Sequence, residues 1–148
     1  MDELEQLCGG EGVRLAEEQD ALTLVQTSPV PVYFGCRVCP FAHRSYWLAT
    51  ELGFDAKWKY VHIDLGARKP AWYAKNINPF GTVPCLYVNG KGIFESLIVC
   101  EYINDVSGGS FLPADPYAKS VVRLLVARFD DTCKGLLYNL LMNQVHHE

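Results

Sequence analysis

The sequence predicts an α/β domain with the element order β-α-β-α-β-β-α, followed by the start of a helical region. Three observations carry this prediction. Compact runs of β-branched and aromatic residues alternate with stretches whose apolar residues recur every three to four positions. An Asn89-Gly90 pair, a strong hairpin-turn signal, sits between two short strand-like runs. Ser107-Gly108-Gly109-Ser110 then separates these elements from a long stretch with one wide apolar face.

Residues 1–28 mix glycines with acidic residues and show little periodicity, so they read as an N-terminal extension with a short strand at Leu22-Thr23-Leu24-Val25. The α/β domain is expected over 29–106. Pro29 to Phe34 reads as a buried strand. From Pro40 to Leu52 a helix is predicted by Phe41, Ser45, Leu48 and Leu52, with Gly53 as its stop. Lys57 to Leu65 alternates, placing Trp58, Tyr60 and His62 on one face and Val61 and Ile63 on the other, as a strand would. Pro70 to Asn76 predicts a short helix entered at a proline, and Val83 to Val88 a third strand. Gly92-Ile93-Phe94 follows as an antiparallel fourth strand. Glu95 to Val106 is predicted helical, with Leu97, Cys100 (or Glu101) and Ile103-Asn104 at the helical period. The first crossover is long enough for parallel pairing of the first two strands. Residues 107–116 form a linker. Over 117–148, Val121, Leu125, Phe129, Leu136 and Leu140 trace one face of a long helix or helix pair. That face calls for more partners than the chain provides, so a truncated helical domain or an oligomer is expected.

Composition narrows the function. A net charge of −4 and a pI near 5.5 leave no basic footprint for nucleic acid. No apolar run reaches the ~18 residues that span a bilayer, and the acidic start, Met1-Asp2-Glu3, is unlike a secretory signal. The six cysteines, Cys8, Cys36, Cys39, Cys85, Cys100 and Cys133, are irregularly spaced in a chain that is 49% hydrophobic. That pattern favours free thiols in a reducing, cytoplasmic setting over three disulfides.

Chemistry concentrates in Cys36-Arg37-Val38-Cys39-Pro40. Proline suits the first helical position, where a backbone N–H has no partner to lose. Cys39 then falls at the N-cap, where unpaired N–H groups and the helix dipole favour a thiolate. Arg37 and His43 add positive charge nearby. Thiol chemistry is therefore the first expectation. The single Cys-x-x-Cys also resembles half a zinc site, but no second pair at ligand spacing accompanies it and no metal is assigned. Trp58, Trp72 and Tyr73 read as core, and Glu17-Glu18 and Asp130-Asp131 as solvated acidic positions.

Several separated segments resemble the glutathione transferases. Cys39-Pro40-Phe41-Ala42-His43-Arg44 is similar to the active-site segment of the omega class, and Asn78-Pro79-Phe80-Gly81-Thr82-Val83-Pro84 to the family's loop before its third strand. Phe94-Glu95-Ser96 with Cys100-Glu101-Tyr102 resembles the third helix, and Leu112 to Lys119 the entry to the all-helical second domain. The resemblance implies a thioredoxin-like domain that binds glutathione as co-substrate, with no bound cofactor. It implies a cis bond at Pro84 that exposes the Val83 backbone to the cysteinyl part of glutathione. Glu95 and Ser96 would hold the γ-glutamyl end, Lys69 would lie near the glycine carboxylate, and Phe41 would line the second-substrate site. Cys39 would be the nucleophile of a thiol transferase or dehydroascorbate reductase acting on a small disulfide or electrophile, with glutathione or a similar low-molecular-weight thiol as donor. Family members are usually dimers, so a homodimer is one expectation.

Three questions stay open at this level. Cys36 is either a resolving thiol, since an i to i+3 pair in a turn can be bridged, or an exposed loop cysteine without a role. Val32-Tyr33-Phe34 also resembles the strand end of tyrosine-type transferases, which would make Tyr33 the activating hydroxyl of a conjugating enzyme. Folds of this type also serve as non-catalytic interaction modules.

Overall fold

A computed structural model describes residues 18–109 and 111–144. The chain divides into two compact units, Met1–Gly108 and Gly109–Glu148. The described part of the first contains helix α1 (Glu18–Thr27), strand β1 (Val32–Gly35), helix α2 (Pro40–Glu51), β2 (Lys59–His62), a π-helical turn (Tyr73–Ile77), β3 (Cys85–Val88), β4 (Lys91–Phe94) and helix α3 (Ser96–Val106). From β1 onward this is the expected order. The described part of the second unit contains one continuous helix, α4 (Pro116–Gln144), and not a pair. No described helix is long and apolar enough to cross a membrane.

The four strands form one thioredoxin-like mixed sheet in the order β2-β1-β3-β4. β1 and β2 run parallel, whereas β3 is antiparallel to both β1 and β4. The Asn89-Gly90 turn has positive φ at both residues, 51° and 74°, which matches a tight type I′ hairpin. Alternation along the strands divides the core between two faces. Val32, Phe34, Val61, Ile63 and Cys85 lie on one face with Trp72, Tyr73 and Ile77. Tyr33 and Leu86 lie on the other with Ala49, Val99 and Ile103, flanked by Trp58 and Tyr60.

The expected strand at Leu22-Thr23-Leu24-Val25 is instead part of α1. Ala21 and Val25 are four residues apart and both buried, so a helical stripe seats this segment on the core. Glu18, expected to be merely solvated, accepts hydrogen bonds from Asn76 Nδ2 at 2.7 Å and Lys75 Nζ at 3.3 Å. Glu17 and residues 1–16, Cys8 among them, lie outside the described residues.

The helical phases also differ from expectation. The buried positions of α2 are Ala42, Ser45 and Ala49, whereas Phe41, Leu48 and Leu52 are half-buried. In α3 they are Ser96, Val99, Ile103 and Asn104, not Leu97 and Cys100. Small side chains allow close approach of α2, and its larger apolar residues close over the flanks. In α4, Asp115 Oδ2 accepts from the Ala118 N–H at 2.7 Å and caps the helix. Leu124, Leu125, Phe129, Leu136 and Leu140 are exposed along it.

Candidate active site

Strand register brings the candidate segments together. Phe34 pairs with Cys85, and Cys85 pairs with Phe94. The chain leaving β1 toward Cys36–Pro40, the chain entering β3 through Val83-Pro84, and the chain leaving β4 through Glu95-Ser96 therefore meet at one end of the sheet.

Cys39 is the N-cap of α2, with extended φ and ψ of −86° and 117° and Pro40 as the first helical residue. Its side chain caps no backbone N–H. It is 6% exposed, and Sγ lies 4.0 Å from the Val83 carbonyl oxygen. The Val83–Pro84 bond is cis. Cys36 is tied to the same turn, its carbonyl accepting from the Cys39 N–H at 3.0 Å. It is not an exposed loop cysteine: it is 4% exposed. Burial pushes its thiol pKa up, against backbone N–H contacts from Val38 and Cys39 that pull it down. Both thiols are free.

The loop before β3 is organised by buried Asn78. Its Nδ2 donates to the Thr82 carbonyl at 2.7 Å and to Thr82 Oγ1 at 3.3 Å, while its Oδ1 accepts from the Phe80 N–H at 3.0 Å. The Tyr73 hydroxyl adds a donation to the Thr82 carbonyl at 2.8 Å. Lys69 Nζ donates to the Gly81 carbonyl at 2.7 Å, which places its ammonium on this same loop.

Glu95 is the N-cap of α3 and has φ 68° and ψ 127°, a left-handed conformation that a residue with a Cβ rarely adopts. Such strain persists where the surrounding structure enforces it, typically at a ligand site. Glu95 is exposed, and Ser96 beside it is buried. The first intrahelical bond runs from the Val99 N–H to the Glu95 carbonyl at 2.9 Å, so the N–H groups ahead of it are available to an anion. Arg44 Nη1 donates to Ser96 Oγ at 3.3 Å, and its guanidinium lies 5.5 Å from the centre of the Phe41 ring.

Tyr33 does not behave as a ligand-facing hydroxyl. It is fully buried, with its hydroxyl donating to the Ala42 carbonyl at 2.7 Å and paired with Ser45 Oγ at 2.8 Å. Burial drives its pKa well above the ordinary tyrosine value. The ring stacks on Trp58 with centroids 4.3 Å apart. Tyr33 is thus held beneath α2, an arrangement that gives no support to the reading of its hydroxyl as an activator. Tyr33 also lines a cleft together with Cys36, Arg37, Ala42, His43, Tyr46 and Tyr60.

Arg44, Tyr73 and Asn78 were not singled out as site residues in the sequence, although two have local signals. Arg44 follows Phe41 by three positions and shares its helix face. Asn78 precedes Pro79 in a turn-forming segment, where an asparagine side chain commonly bonds to the backbone.

Residues 38–106 match the glutathione S-transferase N-terminal domain. The chain is 37% identical over 107 residues to protein IN2-1 homolog A of Oryza sativa subsp. japonica, covering 72% of this chain and 44% of that protein. It is 34% identical over 98 residues to glutathione S-transferase omega-2 of Homo sapiens, covering 65% and 39%. Among solved structures, glutathione transferase Omega 2C from Trametes versicolor is similar with a TM-score of 0.63 and 26% identity, covering 68% of this chain and 48% of that one. The chain therefore spans about half the length of the relatives it matches.

Proposed function

We propose, for a chain whose residues 38–106 match the glutathione S-transferase N-terminal domain and which has omega-class relatives, that it catalyses glutathione-dependent thiol transfer with Cys39 as nucleophile. The observation that carries this reading is the position of Cys39: an N-cap thiol followed by Pro40, with Sγ 4.0 Å from the Val83 carbonyl that precedes the cis proline. A helix N-terminus favours negative charge placed at it, and the thiolate is the nucleophilic form of a cysteine.

In the proposed cycle, the Cys39 thiolate attacks the glutathionyl sulfur of a mixed disulfide. The S–S bond breaks, the other thiolate leaves and takes up a proton, and Cys39 carries glutathione in a new disulfide. A second glutathione thiolate attacks that glutathionyl sulfur, releasing oxidised glutathione and restoring the Cys39 thiolate. The same two-electron exchange would reduce dehydroascorbate at the cost of two glutathione thiols. Glutathione would lie with its cysteinyl backbone along Val83 and Pro84, its γ-glutamyl end at Glu95 and Ser96, and its glycine carboxylate toward Lys69. Phe41 would face the second substrate. Cys36, buried within the same turn, would act as a resolving thiol when glutathione is scarce. Free thiols at Cys36, Cys39, Cys85, Cys100 and Cys133 fit a reducing, cytoplasmic setting.

Mass spectrometry of peptides after treatment with oxidised glutathione tests the reading. The expected product is Cys39 carrying glutathione. An unmodified Cys39, with glutathione elsewhere or nowhere, overturns it. Binding of glutathione without any disulfide exchange would favour a non-catalytic interaction module, a reading to which the exposed apolar side chains of α4 lend some support.

A further inference from the structure

Arg44 connects the two segments on which the proposed site depends. It lies on the second turn of α2, the helix that Cys39 caps, and its guanidinium reaches Ser96 at the start of α3. It also lies over Phe41, two residues after Cys39, at cation–π distance. One turn further along α3, burial pushes the Cys100 thiol up to about 11 while the same guanidinium opposes the rise.

We propose that Arg44 is a positioning residue for carboxylate recognition: by donating to Ser96 Oγ it directs the Ser96 hydroxyl proton, and its own charge, toward the γ-glutamyl carboxylate of glutathione. This inference rests on the reading of Ser96 as the carboxylate anchor. A serine hydroxyl has one proton and can donate it in only one direction, whereas a guanidinium only donates. When Ser96 Oγ accepts from Arg44, its proton must be directed to another acceptor. The N–H groups at the start of α3 point toward the same anion. In this partly buried setting a fixed cation acts on that anion more strongly than it would in water. The alternative is that Arg44 only holds α2 against α3.

Calorimetric titration of glutathione into the whole chain distinguishes the two, using Cys39→Ser as the parent so that exchange chemistry does not intervene. Arg44→Gln is expected to weaken glutathione binding about tenfold, as expected for loss of a charged hydrogen bond. Ser96→Ala is expected to cause a similar loss, and the double variant to be little worse than either single one, because the two groups act as a unit. Arg44→Lys should recover part of the affinity. A glutathione analogue whose γ-glutamyl carboxylate is amidated should bind the parent and Arg44→Gln equally. Fully additive losses, an equal loss toward the amidated analogue, or unchanged binding with a lowered melting temperature would each overturn the inference. Failure of the parent to bind, or a Ser96→Ala variant that binds normally, overturns the anchor reading itself. A loss with Ser96→Ala but not with Arg44→Gln overturns the role of Arg44 alone.

Discussion

The capped end of α2 and the face on which that helix rests carry the two groups considered as activators, and they are organised differently. At the end, the Cys39 side chain caps nothing and lies 4.0 Å from the Val83 carbonyl. On the face, the Tyr33 hydroxyl is held between the Ala42 carbonyl and Ser45, within a stack of aromatic rings. A hydroxyl held between two partners in the core supports structure, whereas a thiol with one long contact, to the Val83 carbonyl, is less tightly engaged. The two groups lie on one short strand–turn–helix segment, and local geometry holds them differently.

The strongest test of this contrast exchanges the two deletions. Cys39→Ser is expected to lower reduction of a small glutathionyl disulfide by roughly a hundredfold or more, as loss of a nucleophile does. Tyr33→Phe should leave that rate nearly intact and lower unfolding free energy by about 1 kcal/mol, the usual value of a buried hydrogen bond. Steady-state kinetics and urea unfolding of both variants measure this, and a reversed pattern would restore Tyr33 as the activator.

A second test targets the tyrosine support from below. A Cβ at Gly35 would lie 2.6 Å from Tyr33 Cε1 and 3.2 Å from Tyr60 Cε2. Tyr33 is confined by Trp58, so the ring has little room to yield. Gly35→Ala should therefore destabilise the first unit by about 1–3 kcal/mol, a typical overpacking cost. Urea unfolding followed by tryptophan fluorescence reports it.

A further expected effect concerns pH. Burial raises the Cys100 thiol from its ordinary 9.0 to about 11, and raises Cys36 and Cys85 as well. The folded state therefore retains these protons where the unfolded chain releases them. Stability from this source is complete below about pH 9 and declines as pH rises toward 11. Urea midpoints at mildly and strongly alkaline pH should fall in that order, with Cys100→Ala reducing the difference.

Much of this was legible in the sequence because it rests on local rules. Pro40 after Cys39 marked the helix start, Asn89-Gly90 the hairpin, and strand alternation separated Tyr60 from Val61. The segment at Leu22 to Val25 was misread because four residues, Leu-Thr-Leu-Val, are too few to separate the two periods. Only the seating of Ala21 and Val25 on the core decides for helix. In α2 and α3 the expected Ser45 and Ile103-Asn104 are buried, but Phe41 and Leu97 are not, because close packing placed Ala42, Ala49 and Val99 inside. Arg44 and Asn78 depend on partners distant in space or on backbone geometry, neither of which appears in a linear pattern.

The Asn78 amide has a consequence for the ageing of the protein. Asparagine deamidates when the backbone nitrogen of the next residue attacks the side-chain carbonyl and closes a succinimide ring. That next residue is Pro79, which has no N–H to lose, so the usual route is closed. The loop leading to Val83 and Pro84 thereby keeps an amide that can donate and accept at once, which a carboxylate could not do. At the exposed Asn89-Gly90 turn, the following glycine leaves that route open. Chemical wear is thus expected first at the hairpin, away from the loop beside the thiol.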